Sequence, residues 1–194
     1  LFLTLFFSCS DDFVPSQLCD INEKFSGEFS VLTFNRLETT SLNSSIRLIN
    51  DLSPDLIGMQ ESYGVGLDVA SSLGYCYYGH EDSSVAFLSK YEIEVINDNF
   101  VKIHLNDDKI INFFNVHFTA FPYQPYQIRD GELTNVWQIE HEAEETRREE
   151  LQALFSDMQH LIKDKDIVLV GDFNEPSHLD WTLEASKQGL NFGF

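Results

Sequence analysis

Four apolar runs in this 194-residue chain end in side chains of the kind that bind metal ions and phosphates. Asn35 follows Thr33-Phe34, and Gln60-Glu61 follows Leu56-Ile57-Gly58-Met59. His117 follows Asn112-Phe113-Phe114-Asn115-Val116, and Asp172-Phe173-Asn174 follows Val168-Leu169-Val170-Gly171. Carboxylates such as Glu61 and Asp172 are the oxygen ligands a hard cation takes together with water. Amide and imidazole N–H groups donate to oxygens that gain charge during phosphoryl chemistry. Taken singly, the histidine is a common structural residue and Gly-Asp-Phe-Asn suits a turn. Taken together they define one site, because ligands collect where the carboxyl ends of strands meet. One site able to hold a hard cation beside a phosphate could use all of them.

The elements that position these residues follow from periodicity. Residues 29–34 alternate and are rich in strand formers, so a strand ends at Asn35. Ile46, Ile49 and Leu52 recur at helical spacing after Ser44-Ser45, and Pro54 stops that helix. Residues 55–60, 84–89, 110–118 and 166–170 read as strands, the last of them buried, with shorter strands within 91–105. Residues 120–143, with Pro122, Pro125 and Gly131, show no period and read as a long insertion, which at that length is usually functional or disordered. Leu151, Leu154, Phe155, Met158, Leu161 and Ile162 mark one face of a helix from about 144 to 163.

Thr33-Phe34-Asn35, residues 55–61, Val85-Ala86-Phe87-Leu88-Ser89-Lys90, Asn115-Val116-His117 and Gly171-Asp172-Phe173-Asn174-Glu175-Pro176 resemble, in order, the successive motifs of the endonuclease/exonuclease/phosphatase family. The resemblance spans residues 29–181. It implies an α/β fold of the deoxyribonuclease I type, a four-layer sandwich of two packed mixed β-sheets flanked by helices. It further implies Glu61 as principal ligand of magnesium, or of manganese in its place, with Asn35 orienting metal and phosphate. Asp172 would position or activate the attacking water, while Asn174 and His117 would donate to phosphate oxygens. Either Glu81 or Asp82 would supply the acid that supports His117. Tyr123 and Tyr126, in the insertion, are candidates for contact with substrate. The family pattern closes with an Asp-His pair, and none of the six histidines, at 80, 104, 117, 141, 160 and 178, follows an aspartate. The expectation is therefore a chain cut short at both ends and inactive as it stands.

The chain begins with an apolar run, residues 1–7, followed by Ser8-Cys9 and the polar Ser10-Asp11-Asp12. The run is too short for a membrane span and reads as the end of an export signal. A small residue before a cysteine in that setting resembles the lipobox of bacterial lipoproteins, with Cys9 as the lipid anchor. The organisation expected is a partial signal at 1–9, a tether at 10–28 and one domain at 29–194, located in the cell envelope. Cys19 and Cys76 then remain, and are expected to be ordinary core or surface residues.

With 32 acidic against 12 basic residues the net charge is -20, which disfavours tracking along a polyanion. A phosphorylated small molecule or lipid head group is therefore favoured over nucleic acid as substrate, and no protein partner is expected. The alternatives are an extracellular nuclease and a binding protein that keeps the pocket without the chemistry.

Overall fold

The computed structural model describes residues 24–161 and 166–176, together with Glu184 and Lys187. Cys9, Cys19 and most of the expected tether lie outside the described residues. The elements run β1 Val31–Asn35, α1 Leu42–Leu52, β2 Leu56–Gln60, α2 Val65–Leu73, β3 Cys76–Gly79, β4 Val85–Ser89, β5 Glu92–Asn97, β6 Phe100–Asn106, β7 Lys109–His117, α3 Gln124–Arg129, α4 Val136–Met158 and β8 Asp166–Asp172. They build two four-stranded mixed sheets of order β1-β2-β4-β3 and β5-β6-β7-β8. The four-layer α/β sandwich expected from the sequence is the fold observed.

Strand periodicity assigns each face. Leu56, Phe87, Val101, Ile103, Ile111 and Phe113 fill the space between the sheets. Alternate positions on β2 and β4, Ile57, Met59, Ala86 and Leu88, face outward onto Ile49 of α1 and Val69 and Ala70 of α2. On the other sheet Phe100, Phe114 and Val116 face Leu154 and Met158 of α4. Phe25 already packs on the central core, with its ring 6.5 Å from that of Tyr91.

Local chemistry shifts several boundaries from those read in the sequence. Helix α1 starts earlier, capped by Ser41 rather than by Ser44 or Ser45, because the Ser41 side chain accepts from Ser44 N. The 120–143 stretch is not a structureless insertion: it holds α3, and α4 begins within it at Val136 behind the Asn135 cap, ending at Met158. The cap fixes that start, while the first turns of α4 lack a continuous apolar stripe. Helix α2 and strand β3, joined through Gly74 at φ 78°, occupy a stretch for which the sequence reading gave no element. Strand β8 pairs only with β7 among the described residues and is half-buried rather than buried. Cys76, expected to be ordinary, is disulfide-bonded.

The two sheets approach closely at one point. A Cβ at Gly58 would lie 2.4 Å from Val170 Cγ2 and 2.9 Å from Asn115 Oδ1, so only glycine lets β2 sit this near β7 and β8. Gly58→Ala is expected to destabilise the protein by about 2 kcal/mol, the range for overpacking a close-packed interior. Urea unfolding measures this, and a loss below roughly 0.5 kcal/mol, the level of an ordinary surface substitution, would show slack between the sheets.

Candidate functional site

The parallel pairs β1–β2 and β7–β8 direct four carboxyl ends to the same edge of the sandwich. Asn35 is in register with Gln60 on one sheet, and His117 with Asp172 on the other. Residues 115 and 117, like 170 and 172, share the face that looks toward the opposite sheet. The ends are tied by a buried amide pair. Gln60 Nε2 donates to Asn115 Oδ1 at 2.6 Å, and Asn115 Nδ2 donates to the Met59 and Ala86 carbonyls at 3.0 Å each. Gln60 Nε2 also lies 3.0 Å from Gly58 O.

Beside this tie is an open cleft of about 480 Å³, lined by Thr33, Asn35, Gln60, Tyr123 and residues 171–175. Asp172 is held from both sides: Asn35 Nδ2 donates to its Oδ2 at 2.9 Å, and the Asn174 backbone N–H donates to its Oδ1 at 2.9 Å. Asn35 Oδ1 in turn accepts from Leu37 N at 2.9 Å, which fixes the orientation of the amide. Asn174 has φ 49°, a left-handed conformation that asparagine tolerates better than most residues. Its Nδ2 donates to Phe118 O at 2.8 Å, and Phe118 N donates to Asp172 O at 2.9 Å, so the ends of β7 and β8 continue to bond beyond the ladder.

The structure thus brings Asn35, Asp172, Asn174 and Tyr123 to one cleft. The other sequence candidates stand around it. Glu61, at φ 53°, turns its carboxylate onto Glu38 N at 2.6 Å. His117 is half-buried in register with Asp172 but does not line the cleft. Tyr126 is 48% exposed one helical turn from Tyr123, the ring centroids 5.1 Å apart, with the Arg129 guanidinium over its outer side. Glu81 and Asp82 are both exposed in the turn before β4, Glu81 against Gly64. Burial pushes the Tyr123 phenol above its ordinary pKa, and the nearby Asp172 adds to the effect.

Two buried arginines were not legible as site residues. Arg36 donates through Nη1 to Glu61 O at 3.0 Å and through Nη2 to Glu38 O at 3.0 Å and to Thr40 O, holding the turn that carries Glu61. Arg147, on α4, reaches Glu175, Thr119 and Gln124. Nothing distinguishes either from a surface charge in the sequence. The Gln60–Asn115 pair did carry a signal, since both are polar positions within apolar strands.

Among the described residues no three His, Cys, Asp or Glu side chains cluster as a metal cage. The oxygen donors in or beside the cleft are Asp172, Glu61, the amide of Asn35 and Glu175, the last of them paired with Arg147. That sparse oxygen set fits a cation such as magnesium, which keeps several waters and takes one or two carboxylates plus substrate phosphate.

Residues 38–192 match the Endonuclease/Exonuclease/phosphatase family. The chain belongs to that family. It is 27% identical over 153 residues to an uncharacterized protein of Caenorhabditis elegans, covering 70% of this chain and 48% of the relative. It therefore spans about half the length of this curated relative. Among solved structures it resembles truncated TDP2 of C. elegans (TM-score 0.52, 12% identity, 76% of this chain and 63% of that one). It also resembles an AP endonuclease from Archaeoglobus fulgidus (0.51, 18%, 83% and 63%). A third likeness is to ANGEL2, a 2',3'-cyclic phosphatase in complex with adenosine-2',3'-vanadate (0.53, 17%, 77% and 54%). At these identities the likeness shows the fold.

The amide tie generates a stability prediction. Asn115→Ala removes the nearest buried acceptor of the Gln60 amide, leaving it Gly58 O, and is expected to cost about 1–3 kcal/mol. In a Gln60→Ala/Asn115→Ala cycle followed by denaturant unfolding, the two losses should couple by roughly 0.5–3 kcal/mol. Simple additivity would mean that the pair does not hold the sheets together.

Proposed function

We propose that this protein is a divalent-metal-dependent phosphoesterase that hydrolyses a phosphate mono- or diester by in-line attack of water. The observation that carries the reading is Asp172, a carboxylate held on one oxygen by the Asn35 amide and on the other by the Asn174 N–H, facing an open cleft. The remaining lone pairs of a carboxylate so held can accept from a water and aim it at phosphorus. Asn174 uses one N–H of its side-chain amide on Phe118 O, and the other is left to donate to a phosphate oxygen. His117, at the neighbouring strand end in register with Asp172 but outside the lining of the cleft, is the candidate donor to a further oxygen. Tyr123, whose raised pKa keeps it protonated, offers a hydroxyl at the mouth of the cleft.

Enzymes of the family are generally divalent-metal dependent. Glu61 and Asn35 are the residues that would hold the ion, magnesium or manganese, and the ion supplies Lewis-acid stabilisation of the phosphate charge when bound. Among the described residues no basic side chain lines the cleft. Together with the net charge of -20, this favours a compact phosphorylated substrate, or a lipid head group, over a long nucleic acid. Export to the cell envelope, with Cys9 as lipid anchor, belongs to the same reading. It is supported by the apolar run before Cys9 and by the disulfide at Cys76, a bond that persists in oxidising compartments.

The test uses the full-length protein with p-nitrophenyl phosphate and bis(p-nitrophenyl) phosphate, with and without magnesium. Asn174→Ala is expected to lower kcat by roughly a hundredfold or more, the usual effect of removing one donor to a developing oxyanion. Asp172→Asn should cost at least as much. Glu61→Gln should instead raise the magnesium concentration giving half-maximal rate. Near-normal turnover in Asn174→Ala and Asp172→Asn would overturn the mechanism, and an inactive wild type that still binds phosphate would favour a binding protein.

A further inference from the structure

Arg147 lies under the cleft rather than in it. Only 5% exposed, its guanidinium meets three separate segments. Nε donates to Glu175 Oε2 at 2.8 Å and Nη1 to Thr119 O at 3.1 Å, while Nη2 reaches Gln124 Oε1 and the same Glu175 oxygen. Each of these partners sits beside a residue of the site: Glu175 follows Asn174, Gln124 follows Tyr123, and Thr119 comes two residues after His117. One turn along α4, the Glu150 carboxylate accepts from Thr119 N at 3.0 and 3.1 Å, so the segment after β7 is held through both its carbonyl and its amide.

We propose that Arg147 is a positioning residue for the phosphoesterase site, fixing the Asn174–Glu175 turn against the loop of Tyr123 and the end of β7. The inference rests on the phosphoesterase reading above, and it assigns Arg147 two separable effects. The first is geometric. A fixed guanidinium fork sets the place of three loop segments at once, and a misplacement of about 1 Å in such a site costs up to roughly a hundredfold in rate. The second is electrostatic. Glu175 lines the cleft, and its charge opposes an incoming phosphate unless the buried arginine compensates it. Lysine in place of arginine keeps the second effect and loses most of the first, because an ammonium is a point charge without the planar fork.

The experiment measures kcat and KM in the full-length protein with bis(p-nitrophenyl) phosphate, and amide hydrogen exchange over residues 118–124 and 172–176. Arg147→Met is expected to lower kcat by at least about tenfold and to raise KM, with faster exchange in both segments. Adding Glu175→Gln to that variant should return KM toward the wild-type value while kcat stays low. Arg147→Lys should keep KM near the wild type and recover only part of kcat. Arg148→Met, the exposed neighbour on α4, should change neither. Unchanged kcat in Arg147→Met, or an equal loss in Arg148→Met, overturns the proposal. If Arg147→Met does not fold, the isosteric Glu175→Gln decides, with a fall in kcat expected and an unchanged kcat overturning it. If the wild type hydrolyses neither ester, the phosphoesterase reading fails and the exchange arm alone decides. Protection lost in both segments then supports Arg147 as their anchor, and unchanged protection removes it.

Discussion

The whole arrangement depends on the contact between β2 and β7 across the sandwich, where Gly58 admits close approach and Gln60 and Asn115 share a buried hydrogen bond of 2.6 Å. Two packed sheets normally lie about 10 Å apart and offer only apolar contacts, which are non-directional and tolerate sliding. A buried amide pair does not tolerate it, because a shift leaves donors and acceptors unpaired in a low-dielectric interior. Gln60 immediately precedes Glu61, and Asn115 comes two residues before His117. Fixing the pair therefore fixes the strand ends from which these residues leave. The register of β1 on β2 and of β8 on β7 then carries the constraint outward to Asn35 and Asp172.

A second constraint is charge. The chain carries -20, and among the described residues the cleft is lined by two carboxylates, Asp172 and Glu175, and no cationic side chain, yet the ligand proposed for it is an anion. The acids that line the cleft each have a compensating group: Asp172 receives N–H donors on both oxygens, and Glu175 pairs with Arg147. The Glu61 carboxylate likewise accepts a backbone N–H. In the reading proposed above, neutral donors and a cation held by Glu61 and Asn35 would meet the phosphate, an arrangement that would suit a small ligand better than a long polyanion.

The fold was legible where burial imposes a period. Strands β2, β4 and β7 read as apolar runs because both faces of each are covered, β8 reads as one although it is half-buried among the described residues, and their polar ends stood out against those runs. Helix α4 was legible only over its second half, since Ile139 is the one buried apolar residue of its first half and its start is set by the Asn135 cap. The 62–83 stretch escaped because α2 and β3 are short and glycine-bounded. In the site, strand ends revealed Asn35, Asp172 and Asn174 through residue type alone. Arg36 and Arg147 were hidden because an arginine that binds carbonyls and carboxylates from below has the same sequence signature as one that points to water. Only the tertiary structure distinguishes them.

The turns that bear the site residues show why those arginines are there. Glu61 and Asn174 both have positive φ, at 53° and 49°. Asparagine enters that region at small cost, whereas a glutamate held there costs on the order of 1–3 kcal/mol and persists only if its surroundings over-determine it. Arg36 supplies that determination, bonding the Glu61 carbonyl and the two carbonyls that follow in the facing loop, while Glu38 N takes the Glu61 carboxylate. The Glu61 turn is therefore pinned at its backbone and at its side chain by the same five-residue loop, 36–40, that leaves β1 next to Asn35. Asn35 and Glu61 come from adjacent parallel strands and cannot move independently. This coupling is what an ion held jointly by the two would require, since a cation with a strict coordination geometry binds only to donors whose separation is already fixed.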